Sequence, residues 1–173
     1  MENDMDKVIY FDSTHCDGKQ YFNFLDYAFQ KSNCFMLVYV NYYGKGYTSK
    51  QKYFRNALEK YKIKSRTNPK WPGTLKTYSA GSTYKIVFYK TEPKAKDILK
   101  EVQSLFDWSR PSCPEDLAFF IDKQCWFYSV GHEKIAAIIH ADEEDLNFLE
   151  YEGIALQKNA FLPKDNYFQL YDE

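Results

Sequence analysis

The longest apolar run in the chain is Cys34-Phe-Met-Leu-Val-Tyr-Val40, and no other stretch constrains the fold as much. Seven residues fall far short of the roughly 20 that a membrane-spanning helix requires. β-Branched and aromatic side chains favour extended backbone, so this run, continued by Asn41-Tyr-Tyr43, predicts a strand. Val8-Ile-Tyr-Phe-Asp12 predicts a short buried strand ahead of it. Between them Asp17 offers an N-cap, and Gln20 to Lys31 sets Tyr21, Phe24, Leu25, Ala28 and Phe29 on one helical stripe. The opening is therefore β-α-β. If its two strands are parallel neighbours, the crossover is right-handed.

Gly44 and Gly46 interrupt the chain, and Thr48 or Ser49 can cap a second helix running to about Lys62. Its apolar face is Tyr53, Phe54, Ala57, Leu58 and Tyr61. Two prolines and a glycine predict a loop over Asn68 to Thr74. Leu75 to Tyr78 and Thr83 to Lys90 read as a hairpin around Ala80-Gly81-Ser82. Thr91 and Pro93 start a third helix, with Ala95, Ile98, Leu99, Val102 and Leu105 at helical spacing and an end at Phe106-Asp-Trp108.

Leu117 to Ile121 and Cys125 to Val130 form a second hairpin across Asp122-Lys-Gln124. In His132 to Ala141 the isoleucines fit a strand, while the alanines and Glu133 fit a helix, the preferred reading. Four carboxylates, Asp142 to Asp145, open a last helix through about Glu152, where they favour the positive end of the dipole. Gly153 closes it, Ile154 to Gln157 adds an edge strand, and Tyr167 to Tyr171 is another strand or a tail docked through its rings.

The expected fold is a single α/β (α+β) domain over residues 1–173. It has a mixed, mostly antiparallel sheet of five to seven strands flanked by three to five helices. Residues 1–6 form a flexible acidic extension and residues 159–173 an aromatic tail. The 173 residues suffice for one buried core and are too few for two. The 16 Tyr carry hydroxyls that must be bonded or wet, which predicts many half-buried rings. The start, MENDMDK, lacks the basic and apolar regions of a secretory leader, so a cytoplasmic location is expected.

The net charge of −1 hides a strong segregation. Residues 45–100 hold fifteen Lys and Arg against three Asp and Glu; residues 101–173 hold five against fifteen. If this persists in space, the molecule has a face for an anionic partner or a face for a basic one. Lys50, Lys52, Arg55, Lys62, Lys64 and Arg66, interleaved with aromatics, supply what phosphate contacts and base stacking need. The acidic counterpart is Asp142, Glu143, Glu144, Asp145, Glu150 and Tyr151. Trp71 and Trp108, in proline-flanked loops, are binding anchors or plugs at the sheet's end.

The stretch from Pro114 to Lys134 holds the residues with catalytic potential. Cys125 and His132 are seven apart, which on one strand places them on opposite faces; only a bend at Gly131 makes a nucleophilic dyad. His132 and Glu133 with Glu115 and Asp116 are the set for acid-base work, although such residues more often cap turns. Position 136 is alanine, so no H-E-x-x-H zinc motif exists. The four cysteines, at 16, 34, 113 and 125, form no C-x-x-C pair, and there is no phosphate loop. No metal and no cofactor are expected.

The succession Trp71-Pro-Gly-Thr74, Phe106-Asp-Trp108, Pro114-Glu-Asp-Leu-Ala-Phe-Phe120, Trp126-Phe127 and His132-Glu133 resembles that of small bacterial cytoplasmic proteins. They come mostly from Gram-positive genomes and are often labelled as like stage III sporulation protein AH. The resemblance covers approximately residues 8–157. The sporulation protein proper is membrane-anchored, and no such span is read here. Proteins of this size and type are similar to toxin-immunity and prophage accessory proteins, which act by binding, and the resemblance implies no catalytic residues. The expected function is a non-enzymatic inhibitor of immunity or phage-accessory type, binding a protein partner through a charged, Tyr-rich surface. The alternatives are a nucleic-acid or nucleotide-binding module on the basic segment and a small hydrolase-like enzyme around His132 and Glu133.

Overall fold

The computed structural model describes residues 7–75 and 81–161, without the side chains of 75 and 157–161. The elements in chain order are β1 (Lys7–Phe11), α1 (Lys19–Lys31), β2 (Cys34–Asn41), α2 (Ser49–Ala57), β3 (Lys62–Thr67), β4 (Lys70–Trp71) and β5 (Thr74–Leu75). They continue with β6 (Thr83–Lys90), α3 (Pro93–Leu99), β7 (Glu115–Ile121), β8 (Gln124–Val130), β9 (Ile135–Ile139), α4 (Glu143–Tyr151) and β10 (Ala155–Phe161). The α/β content is as predicted, with four α-helices among the described residues. The sheet has eight strands, more than the five to seven expected, in the order β10-β1-β9-β8-β7-β2-β6-β3. Every described pairing in it is antiparallel.

The β-α-β order at the start is present, but β1 and β2 are not neighbours. They run in the same direction with β9, β8 and β7 between them. Both edges of β2 are taken by β6 and β7, so the handedness rule for adjacent parallel strands does not apply.

Three further expectations are corrected. The run after His132 is a strand, β9, and not a helix; it lies between β1 and β8, and Ala136 to Ile139 are buried. A strand with neighbours on both sides and cover on both faces reads as a continuous apolar run, and this outweighs the helix propensity of alanine. The second helix stops at Ala57; after a 3-10 turn over Glu59–Tyr61, Lys62 begins the edge strand β3 along β6. The third helix stops at Leu99, and Leu105–Asp107 is a separate 3-10 turn fixed by a capping box between Ser104 and Asp107.

The loop over 68–74 contains a two-residue hairpin, β4 with β5, in which Pro72-Gly73 occupies only the turn. Gly73 sits at φ +82°, the left-handed value that a proline-glycine turn requires. β6 pairs with β2 and β3 rather than with the stretch beginning at Leu75, which is in β5. Residues 76–78, the extension 1–6 and the strand or tail at 167–171 lie outside the described residues.

All four helices pack on one face of the sheet. Tyr21, Phe24, Leu25 and Ala28 of α1, Phe54 of α2, Leu99 of α3 and Leu149 of α4 share one cluster with Phe35, Leu37 and Tyr39 of β2. Phe24 lies 4.7 Å from the ring of Phe127 and 5.1 Å, edge-on, from Phe11. Buried hydroxyls find partners: Tyr21 donates to the Leu99 carbonyl at 2.6 Å and accepts from Trp108 Nε1 at 2.9 Å, and the hydroxyls of Tyr39 and Tyr89 meet at 2.7 Å. Gln51 of α2 accepts from the Val40 amide at 2.6 Å and donates to the Val40 carbonyl at 3.1 Å, docking that helix on the end of β2. The opposite face forms a second apolar cluster through Met36, Val38, Ile86, Phe88, Phe120 and Ile139.

Among the described glycines, Gly131 has the closest neighbour. A Cβ there would stand 2.2 Å from the Trp108 carbonyl oxygen, whereas one at Gly46 (φ +90°) would meet nothing within 4 Å. Gly131→Ala is expected to destabilise the protein by about 3 kcal/mol through overpacking. Gly46→Ala should cost only about 1 kcal/mol, for its left-handed backbone. Urea denaturation midpoints with unchanged slopes check the difference.

Candidate functional site

Two carboxylates in the interior organise the polar chemistry. Asp142 is the N-cap of α4: it accepts from the Asp145 amide at 2.8 Å, and Asp145 answers by accepting from the Asp142 amide at 3.0 Å. Asp145 is only 1% exposed. It also accepts from the Tyr27 hydroxyl at 2.6 Å and Trp126 Nε1 at 3.2 Å, while Lys31 Nζ lies 3.3 Å away. Tyr27 stacks on Phe148 at 4.2 Å. Burial, and then the Asp145 carboxylate, raises the Tyr27 pKa and keeps the phenol protonated. Burial works against ionised Asp142, but the Lys31 ammonium at 2.6 Å prevails and holds its carboxyl below the usual range.

Asp116, also 1% exposed, is the second hub. It accepts from Trp71 Nε1 at 2.8 Å, Thr74 Oγ1 at 3.4 Å and the Gly131 amide at 3.0 Å. Its φ of +61° is a left-handed conformation that these bonds hold in place. Neighbouring Glu115, 3% exposed, accepts from the Tyr42 hydroxyl at 2.8 Å.

The acid-base set forms no shared open site: Glu115 and Asp116 are buried and bonded, while His132 and Glu133 face outward. His132 and Glu133 are exposed in a 3-10 turn over Gly131–Glu133 whose first residue is buried, and His132 Nε2 stands 3.6 Å from Glu133 Oε1. Cys125 is at the other end of β8, its thiol directed at the Phe127 carbonyl, and burial pushes its pKa up. An unionised thiol about 20 Å along a strand from the imidazole is not a dyad. Among the described residues no group of three or more His, Cys, Asp and Glu is placed to hold a metal ion.

A cleft of about 410 Å³ opens between the start of α2 and the 101–113 segment, lined by Lys50, Glu101, Phe106, Asp107, Arg110 and Cys113 among others. Its carboxylates are engaged: Asp107 accepts the Gln103 and Ser104 amides, and Glu101 accepts the Tyr53 hydroxyl. None of Glu115, Asp116, His132 and Glu133 lines it.

The six basic candidates divide. Lys50 edges the cleft and Lys52 is exposed on α2. Lys62 pairs in register with Tyr89 and lies with Arg55 near Lys85, whose pKa falls through burial first and then through the charges of Arg55 and Lys62. Lys64 and Arg66 are on the opposite sheet face, 5.7 and 5.6 Å from the Phe88 ring centre. They do not make one continuous groove. Trp71 and Trp108 are 2% and 0% exposed, so both are plugs and present no surface to a partner.

The outer side of α4 is different. Glu143, Glu144, Asn147, Glu150 and Tyr151 are all exposed, and their spacing puts them on one helical face. Tyr151 is 88% exposed, and Leu156, just beyond Gly153, is 65% exposed. Of the acidic set predicted from sequence, the structure therefore directs Glu143, Glu144, Glu150 and Tyr151 outward and takes Asp145 inside.

Asp145→Asn leaves the Tyr27 hydroxyl and the buried Trp126 indole without a charged acceptor, while Lys31 keeps Asp142, and is expected to cost roughly 3 kcal/mol by urea denaturation. A second expectation concerns acid. Unfolded aspartate titrates near about 3.9, so a carboxyl depressed in the fold supplies stability that is complete above that pH and is lost as pH falls through the lower folded value. Asp142 is such a group, and so is Asp26, where burial is outweighed by Lys100 at 2.7 Å and Lys96 at 3.0 Å. Melting temperature measured from pH 7 to pH 2 should fall below about pH 4, and less steeply in Asp142→Asn.

No protein-family model, no curated protein and no solved structure matches this chain.

Proposed function

We propose that the chain is a non-enzymatic binding protein that engages a basic protein partner through the outer face of α4. The observation that carries the reading is Tyr151, 88% exposed next to Glu150 and followed by the exposed Leu156. Tyrosine supplies large contact area at low entropy cost, and the carboxylates along the same face steer a cationic surface onto it. The geometry of the sheet keeps this pole distinct. α4 packs beside β10 at one edge, and the basic strand β3 is the opposite edge. Seven strand spacings, about 34 Å, separate the two edges, against a screening length of about 8 Å at physiological salt.

In this reading the protein is an inhibitor of immunity or phage-accessory type acting in the cytoplasm. The succession of motifs from Trp71 to Glu133, with its resemblance to small proteins labelled as like stage III sporulation protein AH, supports that class. No described helix is long and apolar enough to cross a membrane. A nucleic-acid ligand is the second reading, favoured by the convergence of Arg55, Lys62 and Lys85 beside α2.

Affinity capture from cells carrying the gene separates the two. The native chain and a K52E/R55E/K62E variant are expected to retain one protein partner at equal stoichiometry, and an E143K/E150K/Y151A variant of unchanged melting temperature to lose it. A partner that survives the α4 substitutions, or no stoichiometric partner at all, overturns the reading. Nuclease-sensitive binding that weakens steeply with salt and is lost in K52E/R55E/K62E establishes the alternative.

A further inference from the structure

The cleft beside α2 is framed by two bonds from α2 to the 101–113 segment. Thr48 Oγ1 donates to the Ser112 carbonyl at one end. At the other, the Tyr53 hydroxyl donates to Glu101 and lies 2.8 Å from each carboxylate oxygen. Five residues separate the two anchors, about 7.5 Å of helical rise, and Lys50 stands between them. All of the lining residues are among those described. The volume of about 410 Å³ lies within the span of about 300–1,000 Å³ found for small-molecule sites.

The lining sorts by what each side chain has left to offer. Glu101 takes the Tyr53 hydroxyl, and Asp107 Oδ2 takes the Gln103 and Ser104 amides at 3.1 and 2.9 Å, so both carboxylates hold the walls together. Lys50 and Arg110 are exposed, which leaves their ammonium and guanidinium donors open to a ligand. Val102 and Phe106, half-buried, add an apolar wall. Cys113 lines the cleft from the interior, 5% exposed. Burial raises its pKa, and the Lys50 charge acts against that rise, so the ammonium lies within electrostatic reach of the inner surface.

We propose that this cleft binds a small molecule with an anionic head and an apolar body, the head a phosphate or a carboxylate held by Lys50 and Arg110, the body resting on Val102 and Phe106. The planar fork of arginine fits either head in bidentate fashion, and lysine adds a mobile point charge. Lys50 and Arg110 balance Glu101 and Asp107 in formal charge, so capture comes from direct donation and not from a long-range field. The lining comes from α2 and the 101–113 segment, not from α4, so the site is independent of the partner surface proposed above.

The test is a titration of the full-length, 15N-labelled chain followed through its amide resonances by two-dimensional NMR. The probes are phenyl phosphate, benzoate and neutral benzyl alcohol, at fixed ionic strength and pH 7. At least one of the two anions is expected to shift the amides of Lys50, Gln103, Arg110 and Cys113 saturably in the millimolar range, and the tighter of the two identifies the head group. Benzyl alcohol should shift none of them. In K50M/R110Q, whose melting temperature should match the native one because both sites are exposed, affinity for the anion is expected to fall by about tenfold or more, the usual effect of losing a charge-assisted hydrogen bond. The proposal is overturned if neither anion gives saturable shifts, or if benzyl alcohol binds as well as they do. Shifts centred on Arg55, Lys62 and Lys85 instead of the cleft, or an affinity unchanged in K50M/R110Q, overturn it equally.

Discussion

Strand β2 has no wet side. Phe35, Leu37 and Tyr39 point into the helix-covered cluster, and Cys34, Met36, Val38 and Val40 into the opposite one. β6 and β7 complete its hydrogen bonds on either flank. A strand of this kind requires a sheet that is covered twice, and the rest of the architecture follows from that demand. The helices meet it on one side with interlocking rings. The aromatic share of the composition, 19%, is what filling two clusters on a single sheet calls for.

Within so apolar an interior, polar side chains persist only where they tie distant segments together. Asp145 joins α4 to Tyr27 and to Trp126; Asp116 joins β7 to the small hairpin and to the turn at Gly131. Gln51 fastens a helix to a strand end. Each of these groups is occupied by bonds that hold the fold, which leaves little ionisable chemistry free inside. The outward-facing residues of α4 are exposed, with Glu144 at 3.5 Å from Lys31, and they are the face on which the proposed recognition rests.

The periodic parts of the structure were legible in the sequence. The stripe from Tyr21 to Ala28, the run from Cys34 to Val40 and the carboxylates at the start of α4 each announce their element through local physics. What local pattern could not supply was neighbourhood. Nothing in Ile135 to Ile139 says that β1, from which Ile9 pairs with Ile138 129 residues later, closes one side of it. The same holds for Lys62 to Thr67, whose alternation became a strand because β6 had an open flank. For the site, the exposed Glu and Tyr of α4 were visible beforehand. The burial of Asp145 was not, since its partner Tyr27 is 118 residues distant. Trp108 lies in a loop as expected, whereas Trp71 is in the short strand β4, and only the tertiary structure shows both rings turned inward.

The cationic edge strand has one more effect. An outermost strand displays a row of amide and carbonyl groups that invites further pairing, the first step of uncontrolled aggregation. β3 carries Lys62, Lys64 and Arg66 at alternate positions along that margin. Two copies meeting margin to margin would set like charges against each other, so the strand discourages its own polymerisation.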